Sequence, residues 1–375
     1  MKIYTLASLL VLTTFSQVIL AEDETTEDNT GVSGQVRFGY TYTEDGVGNN
    51  VESAALGGKL GYVSPTWNGI SVGATGYTSN ALGNLDDDSF FLNSHGGPNG
   101  EGYSIIGELW LQAEFANTAI KIGRQEIDTP FADTDDIGMI PDTFEGVVIT
   151  NTSLANTTIT AMHLDKGAGV DAPIPEKFTD LTDKGDGVSA LGISYEKDKW
   201  NAQFWHYDQD NNAGNATNIT YVEAGVNPIE NLELGVQYAN ESYAVGGNAK
   251  VWGATASYGM GDFTVTADYN KVSGDNGIQG TIGGIGGGPF FTSAEQNIID
   301  DTANIKAKAI GVEYSGIKNL TLSARKVNFD QGVSDEIDLT ADYQIRDNLT
   351  AQLIYSDMDE AGKNTRFFIN YNFDI

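Results

Sequence analysis

The 375-residue sequence predicts an all-β chain closed into a transmembrane antiparallel β-barrel of about 18 strands, or about 16 if its two weakest segments are not strands. Three observations carry this. Apolar and polar residues alternate with the two-residue period of a strand that has one apolar face. The connections between such segments alternate strictly between short and long. Tyrosines of outward parity sort by strand direction.

The alternation begins at residue 32. Val32, Gly34, Val36, Phe38, Tyr40 and Tyr42 share one parity, and Ser33, Gln35, Arg37, Gly39 and Thr41 share the other. Leu56, Gly58, Leu60 and Tyr62 repeat it, followed by Ile105, Gly107, Leu109 and Leu111. Segments 118–125, 144–151 and 200–207 have mixed parity and are weaker. The pattern returns at Leu191–Tyr195, Leu232–Tyr238, Phe263–Tyr269, Ile310–Tyr314, Ile337–Tyr343 and Leu349–Tyr355. The last segment, Thr365–Ile375, is amphipathic, as a strand that closes onto the first must be. Convincing helical periodicity is missing beyond the first residues.

Short connections fall at 64–69, 116–117, 153–156, 197–199, 227–231, 259–262, 315–318 and 344–348. Mostly longer ones fall at 43–53, 79–102, 126–143, 164–187, 208–217, 240–248, 271–304, 328–335 and 356–364. A soluble sandwich has no reason to alternate in this way, whereas outer-membrane barrels have short periplasmic turns and long external loops. Tyr62, Tyr195, Tyr258, Tyr314 and Tyr343 close strands running toward the short turns. Tyr42, Tyr238, Tyr269 and Tyr355 close strands running the other way. Two such rings match the aromatic girdles at the two membrane interfaces.

Met1-Lys2, the apolar run Ile3–Leu12 and Ala21 before Glu22-Asp23-Glu24 predict a secretory signal peptide over residues 1–21. A short acidic segment, 22–31, comes next, and the barrel occupies 32–375. The expected location is the outer membrane of a Gram-negative bacterium, with lipid as the outer partner.

Composition removes several function classes. With 52 acidic and 20 basic residues, a formal charge of −32, the chain lacks the basic face that nucleic acid requires. Cysteine is absent, which removes disulfides, thiolate nucleophiles and cysteine metal sites. The three histidines, His95, His163 and His206, belong to no recognisable triad, and neither HExxH nor a phosphate-binding P-loop is present. Asp208-Gln209-Asp210-Asn211-Asn212 has calcium-like spacing. It lacks the glycine and glutamate of an EF-hand loop and reads, like Asp86-Asp87-Asp88, as a solvated acidic loop. No enzyme activity, metal or cofactor is expected.

Three stretches resemble the OprD-type outer-membrane porins. The first is Gly57-Gly58-Lys59-Leu60-Gly61-Tyr62 followed by Trp67-Asn68-Gly69-Ile70-Ser71-Val72-Gly73-Ala74. The second is Ile122-Gly123-Arg124-Gln125, Thr129-Pro130-Phe131 and Pro141-Asp142-Thr143-Phe144-Glu145-Gly146. The third is Gly283–Gly288 with Pro289-Phe290-Phe291-Thr292-Ser293. The resemblance implies a monomeric pore of about 18 strands, with a trimer as the alternative. It also implies that the third external loop, about 126–143, folds inward, and that a line of basic residues guides anionic or zwitterionic solutes. One departure is plain: Gly138 stands within Asp135–Ile140 where the family pattern often places an arginine.

Parity sorts the lumen charges. Inward basic candidates are Arg37, Lys59, Lys121 and Arg366 on the first, second, fifth and eighteenth segments, three of which become neighbours on closure. Arg124 has outward parity unless a bend near Gly123 turns it in. Inward acids are Glu223, Glu233, Asp268, Glu313, Asp338 and Asp342 on the opposite wall, and Asp133, Asp135 and Asp136 add charge from the loop. Arg325 and Glu108 break this segregation. The expectation is a transverse field, basic on one wall and acidic on the other, at a constriction that passes small hydrophilic solutes or ions by passive diffusion. A structural or adhesive barrel plugged by loop 271–304 is the alternative, and a secreted soluble β-protein the second.

Overall fold

The computed structural model describes residues 30–82, 102–211 and 215–375. The expected signal peptide 1–21, most of the acidic segment 22–31, and Asp86-Asp87-Asp88 lie outside the described residues.

Eighteen strands form the wall. They are β1 (Gly31–Asp45), β2 (Asn50–Val63), β3 (Ile70–Ala81), β4 (Tyr103–Phe115), β5 (Thr118–Gln125) and β6 (Thr143–Asn151). Next come β7 (Thr157–Ala168), β8 (Val188–Lys197), β9 (Trp200–Gln209), β10 (Ala216–Ile229), β11 (Leu232–Tyr243) and β12 (Asn248–Met260). The last six are β13 (Phe263–Gly274), β14 (Lys306–Ile317), β15 (Leu320–Phe329), β16 (Glu336–Arg346), β17 (Leu349–Asp357) and β18 (Gly362–Asp374). A two-residue strand, Thr179–Asp180, adds to the loop end of β7 at Lys166 and Gly167. Every neighbour is antiparallel, and β1 pairs with both β2 and β18, so the sheet closes and leaves no free edge.

Sequence explains the outline. The short turns carry Asn68, Asn156, Asp198, Asn231 and Asn319 at positive φ, and asparagine and aspartate tolerate that left-handed backbone better than most residues. At Gly58 φ is 128°, and a Cβ there would strike the Gln35 carbonyl of β1, so the close β1–β2 approach requires glycine. Leu60, Leu109, Val236 and Ile310 present their side chains outward and are more than half exposed, as a lipid-facing band must be.

The mixed-parity segments are genuine strands with local causes. On β6, Phe144 and Val148 share the inward parity and pack into an internal apolar core, while Glu145 has outward parity, so neither face is uniformly apolar or polar. On β9, Trp205 and Tyr207 are apolar yet face inward, where both are completely covered. They form part of an internal core built with the long loops. That core, inside the barrel, locates the functional region.

Candidate functional site

The loop 126–142 leaves the wall between β5, the shortest barrel arm with 8 residues, and β6 with 9. On the β4 side the wall continues past it, from Leu109 opposite Arg124 up to Tyr103, so the loop starts below the rim there with the lumen beside it. It first folds into a small hairpin. Ile127 N donates to Thr134 Oγ1 at 2.9 Å, and Thr129 N donates to the Ala132 carbonyl at 2.9 Å. Thr129-Pro130-Phe131 forms the tip. The Phe131 ring meets Tyr207 at 5.6 Å, Tyr221 at 5.7 Å and Phe290 at 5.9 Å, all edge-on. Such pairs add about 1 kcal/mol each beyond the area they cover. The returning half crosses to the other wall. Met139 packs with Ala55 and Phe368, and Ile140 with Tyr77 and Tyr103.

Arg37 of β1 anchors this return. Its guanidinium donates to Asp136 through Nη1–Oδ1 at 2.5 Å and Nη2–Oδ2 at 2.8 Å, to the Gly138 carbonyl at 2.7 Å, and through Nε to Asn370 at 2.7 Å. Gly138, the departure from the family pattern, thus presents its backbone oxygen to a wall arginine.

A second long loop, 275–305, also lies inside. It touches the first where Ile282 N donates to the Phe131 carbonyl at 2.8 Å. Glu241 receives Gln279 N at 2.6 Å, and Glu336 receives Gln296 N and Asn297 N, both at 2.9 Å. Arg366 of β18 binds Glu295, and Arg325 of β15 donates to the Phe291 carbonyl at 2.6 Å while pairing with Asp268 at 3.0 Å.

Two of the residues expected to line the basic wall are therefore clamps. Arg37 is 6 % exposed and Arg366 is fully covered, because loop carboxylates fold over them. Lys59 and Lys121 remain accessible. Lys59 Nζ stands 3.4 Å from Glu126 Oε1, and Lys121 Nζ sits 4.5 Å over the Trp110 ring. Beneath them the Tyr77 hydroxyl donates to Glu108 Oε1 at 3.0 Å and lies 3.2 Å from Glu126 Oε1. Arg124 keeps its outward parity and does not join the constriction. It pairs with Glu145, its register partner, at 2.9 Å and stacks on the Phe178 ring at 4.3 Å. Gly123 does not turn it in, because the β5–β6 register runs unbroken from Thr118 to Gln125.

The acids divide in the same way. Glu223 is buried against the Tyr221 hydroxyl, Asp268 is held by Arg325 and Thr255, and Asp338 is buried beside Glu295. Glu233, Glu313 and Asp342 are only half-buried and lie near the short-turn ends of β11, β14 and β16. Asp342 accepts from Gln352 Nε2 at 2.8 Å. None of these three has a basic partner within ion-pair distance among the described residues.

Where the two inward loops meet loop 169–187, carboxylates crowd. Burial pushes the Asp133 carboxyl up to about 7, helped by Asp128 and Asp171. Asp135 is likewise pushed up to about 7 by burial, then by Asp171, Asp133 and Glu295, with Arg366 opposing. Asp142, fully covered and hydrogen-bonded to Asp171, is raised well above the usual carboxylate range, mainly by burial. Asp210 and Asn211, in the stretch with calcium-like spacing, join loop to loop instead: Asp210 pairs with Lys184, and Asn211 receives Asp183 N at 3.1 Å.

Sequence reasoning missed Glu126, Glu295, Gln237 and Asn270. Parity alone puts the last two in the lumen. Their partners lie on loop 275–305, far along the chain, and no local pattern reports that contact.

A family model described as outer membrane porin, OprD family, matches residues 21–315. A search of curated proteins finds no match. Among solved structures, OpdK of Pseudomonas aeruginosa with vanillate is similar with a TM-score of 0.80 at 17% identity, covering 92% of this chain and 98% of that one. OccAB3 of Acinetobacter baumannii gives 0.79 at 15%, covering 92% and 99%. A BenF-like porin of Pseudomonas fluorescens Pf-5 gives 0.76 at 18%, covering 93% and 99%.

Proposed function

The chain belongs to the OprD family of outer-membrane porins, and we propose that within that role it favours cations over anions. As a porin it lies in the outer membrane of a Gram-negative bacterium and gives small hydrophilic solutes a passive route through its lumen. The gradient or the potential supplies the driving force. The cation preference rests on one observation. Four inward bases are each matched by a carboxylate, Arg37 by Asp136, Lys59 by Glu126, Arg325 by Asp268 and Arg366 by Glu295. Lys121, the fifth, faces Glu108 and Glu126. With the bases matched, Glu233, Glu313 and Asp342 leave a net negative lining, and charged linings select permeants by electrostatics.

The same reading assigns no catalytic role. It takes residues 1–21 as the removed export signal, and it takes the working unit as a monomer, since one closed barrel encloses a complete passage.

Reversal potential in a planar bilayer under a potassium chloride gradient tests the preference. A potential of the cation sign supports it. The anion sign refutes it and restores a basic guide as the dominant field.

A further inference from the structure

Three residues on adjacent strands stand in one row across the lumen face. Gln237 on β11 is the register partner of Gly253 on β12, and Gly253 is the partner of Asn270 on β13. The middle position has no side chain, so the outer two meet over it: Asn270 Nδ2 donates to Gln237 Oε1 at 2.8 Å. A Cβ at position 253 would stand 2.8 Å from Gln237 Oε1 and closer still to Asn270 Nδ2. Any other residue there would occupy the space in which the two amides join.

The remaining capacity of these amides is spent on one stretch of the inward loop 275–305. Gln237 Nε2 donates to the Pro289 carbonyl at 2.7 Å and to the Tyr221 hydroxyl at 2.9 Å. Phe291 N donates to Gln237 Oε1 at 3.0 Å. Thr292 donates to Asn270 Oδ1 twice, from its backbone N and from Oγ1, each at 3.0 Å. Gln237 is 3 % exposed and Asn270 is fully covered. An amide offers both donors and acceptors, so this pair can satisfy consecutive backbone groups much as a neighbouring strand would.

We propose that the Gln237–Gly253–Asn270 row is a positioning device for permeation, which fixes Pro289–Thr292 at one depth and one distance from the wall and thereby sets the width of the passage. Apolar packing of Phe290 against Phe131 would draw the loop inward, but such packing is non-directional and tolerates sliding. Directional bonds to the backbone remove that freedom. They also set the register of the next few residues, because three positions after Thr292 comes Glu295, which binds Arg366. A loop that slipped would carry this carboxylate off its arginine. The inference rests on the porin role and is independent of the ion preference.

The test uses the full-length protein folded into bilayers and liposomes, comparing wild type with Gln237→Ala/Asn270→Ala. Barrel integrity is followed by heat-modifiable gel mobility. The expected result is an intact barrel whose single-channel conductance rises about 1.5- to 2-fold and whose liposome-swelling cut-off moves to larger neutral sugars. An intact double variant with wild-type conductance and cut-off overturns the proposal. Hydrogen exchange on the wild type gives a second reading that needs no variant. The Phe291 and Thr292 amides should exchange at least ~10-fold more slowly than those of Gly284 and Gly288 in the same loop. Equal rates overturn it. A wild-type barrel without conductance would refute the pore itself, and the exchange pattern would then decide the grip alone.

Discussion

Arg37 and Asp136 face each other as a fork on a fork, Nη1 to Oδ1 at 2.5 Å and Nη2 to Oδ2 at 2.8 Å, across the junction between barrel wall and inward loop. Bidentate pairs of this kind set orientation as well as attraction. Arg37→Ala would leave Asp136 and the Gly138 carbonyl without their donor, and the docked loop should lose about 2 kcal/mol, at the low end for a buried pair because Asp136 is a third exposed. Single-channel traces should show frequent steps between levels where wild type shows one. Arg37→Lys should rescue only in part, since an ammonium cannot reproduce the fork.

The crowded loop carboxylates make docking pH-dependent. Asp133 and Asp135 have folded-state values near 7, above the ordinary carboxylate range. A group whose value is raised on folding contributes stability that is fully present below its unfolded value and is lost as pH rises through the folded one. The interlocked loops should therefore be firmest at low pH and loosen as pH climbs from the usual carboxylate range to about 7. Open-channel noise should increase between about pH 5 and about pH 8. Asp133→Asn/Asp135→Asn should flatten that dependence, and noise that falls with rising pH would refute the coupling.

Glu233, Glu313 and Asp342 should carry the ion preference. Glu313→Gln or Asp342→Asn should each lower the cation-to-anion permeability ratio by about 1.5- to 2-fold, and the pair together by more. Glu223→Gln should change it little, because Glu223 is buried beneath Tyr221. Reversal potentials of the wild type and the four variants, measured side by side, separate these outcomes.

Val236 lies mid-strand on β11 with its side chain more than half exposed on the outer face. Val236→Arg should destabilise the barrel by about 2–4 kcal/mol, the cost of a cation on a lipid-facing strand at mid-depth. Urea unfolding in lipid vesicles reads the change directly. Thr321→Arg, at the register partner of the half-buried lumen residue Asp342, tests the inward face and should be less costly.

The wall was legible in sequence to the extent that one rule governed it. Wherever lipid lay outside and water inside, as at Val32–Tyr42 or Leu232–Tyr238, alternation marked each face. It faded at Trp205 and Tyr207, because there the inside is itself apolar. Strand parity turned Arg37 and Arg366 inward. It could not show that Asp136 and Glu295 would cover them, because each of those contacts depends on the path of a loop through open space. Loop 271–304 looked long enough to fill a lumen. That its backbone would be gripped by Gln237 and Asn270 depended on three strands being in register, a relation no single segment carries.

The seam between β1 and β18 has a temporal consequence. It brings Gln35 beside Asn372, 337 positions later in the chain. The first strand to arrive at the membrane must wait for the last before its outer side is paired. Until then it offers a row of open amides and carbonyls to any passing strand, including that of another copy. Contacts so distant along the chain also form slowly. A chain cut before Gly362 would keep two open margins and never become a barrel.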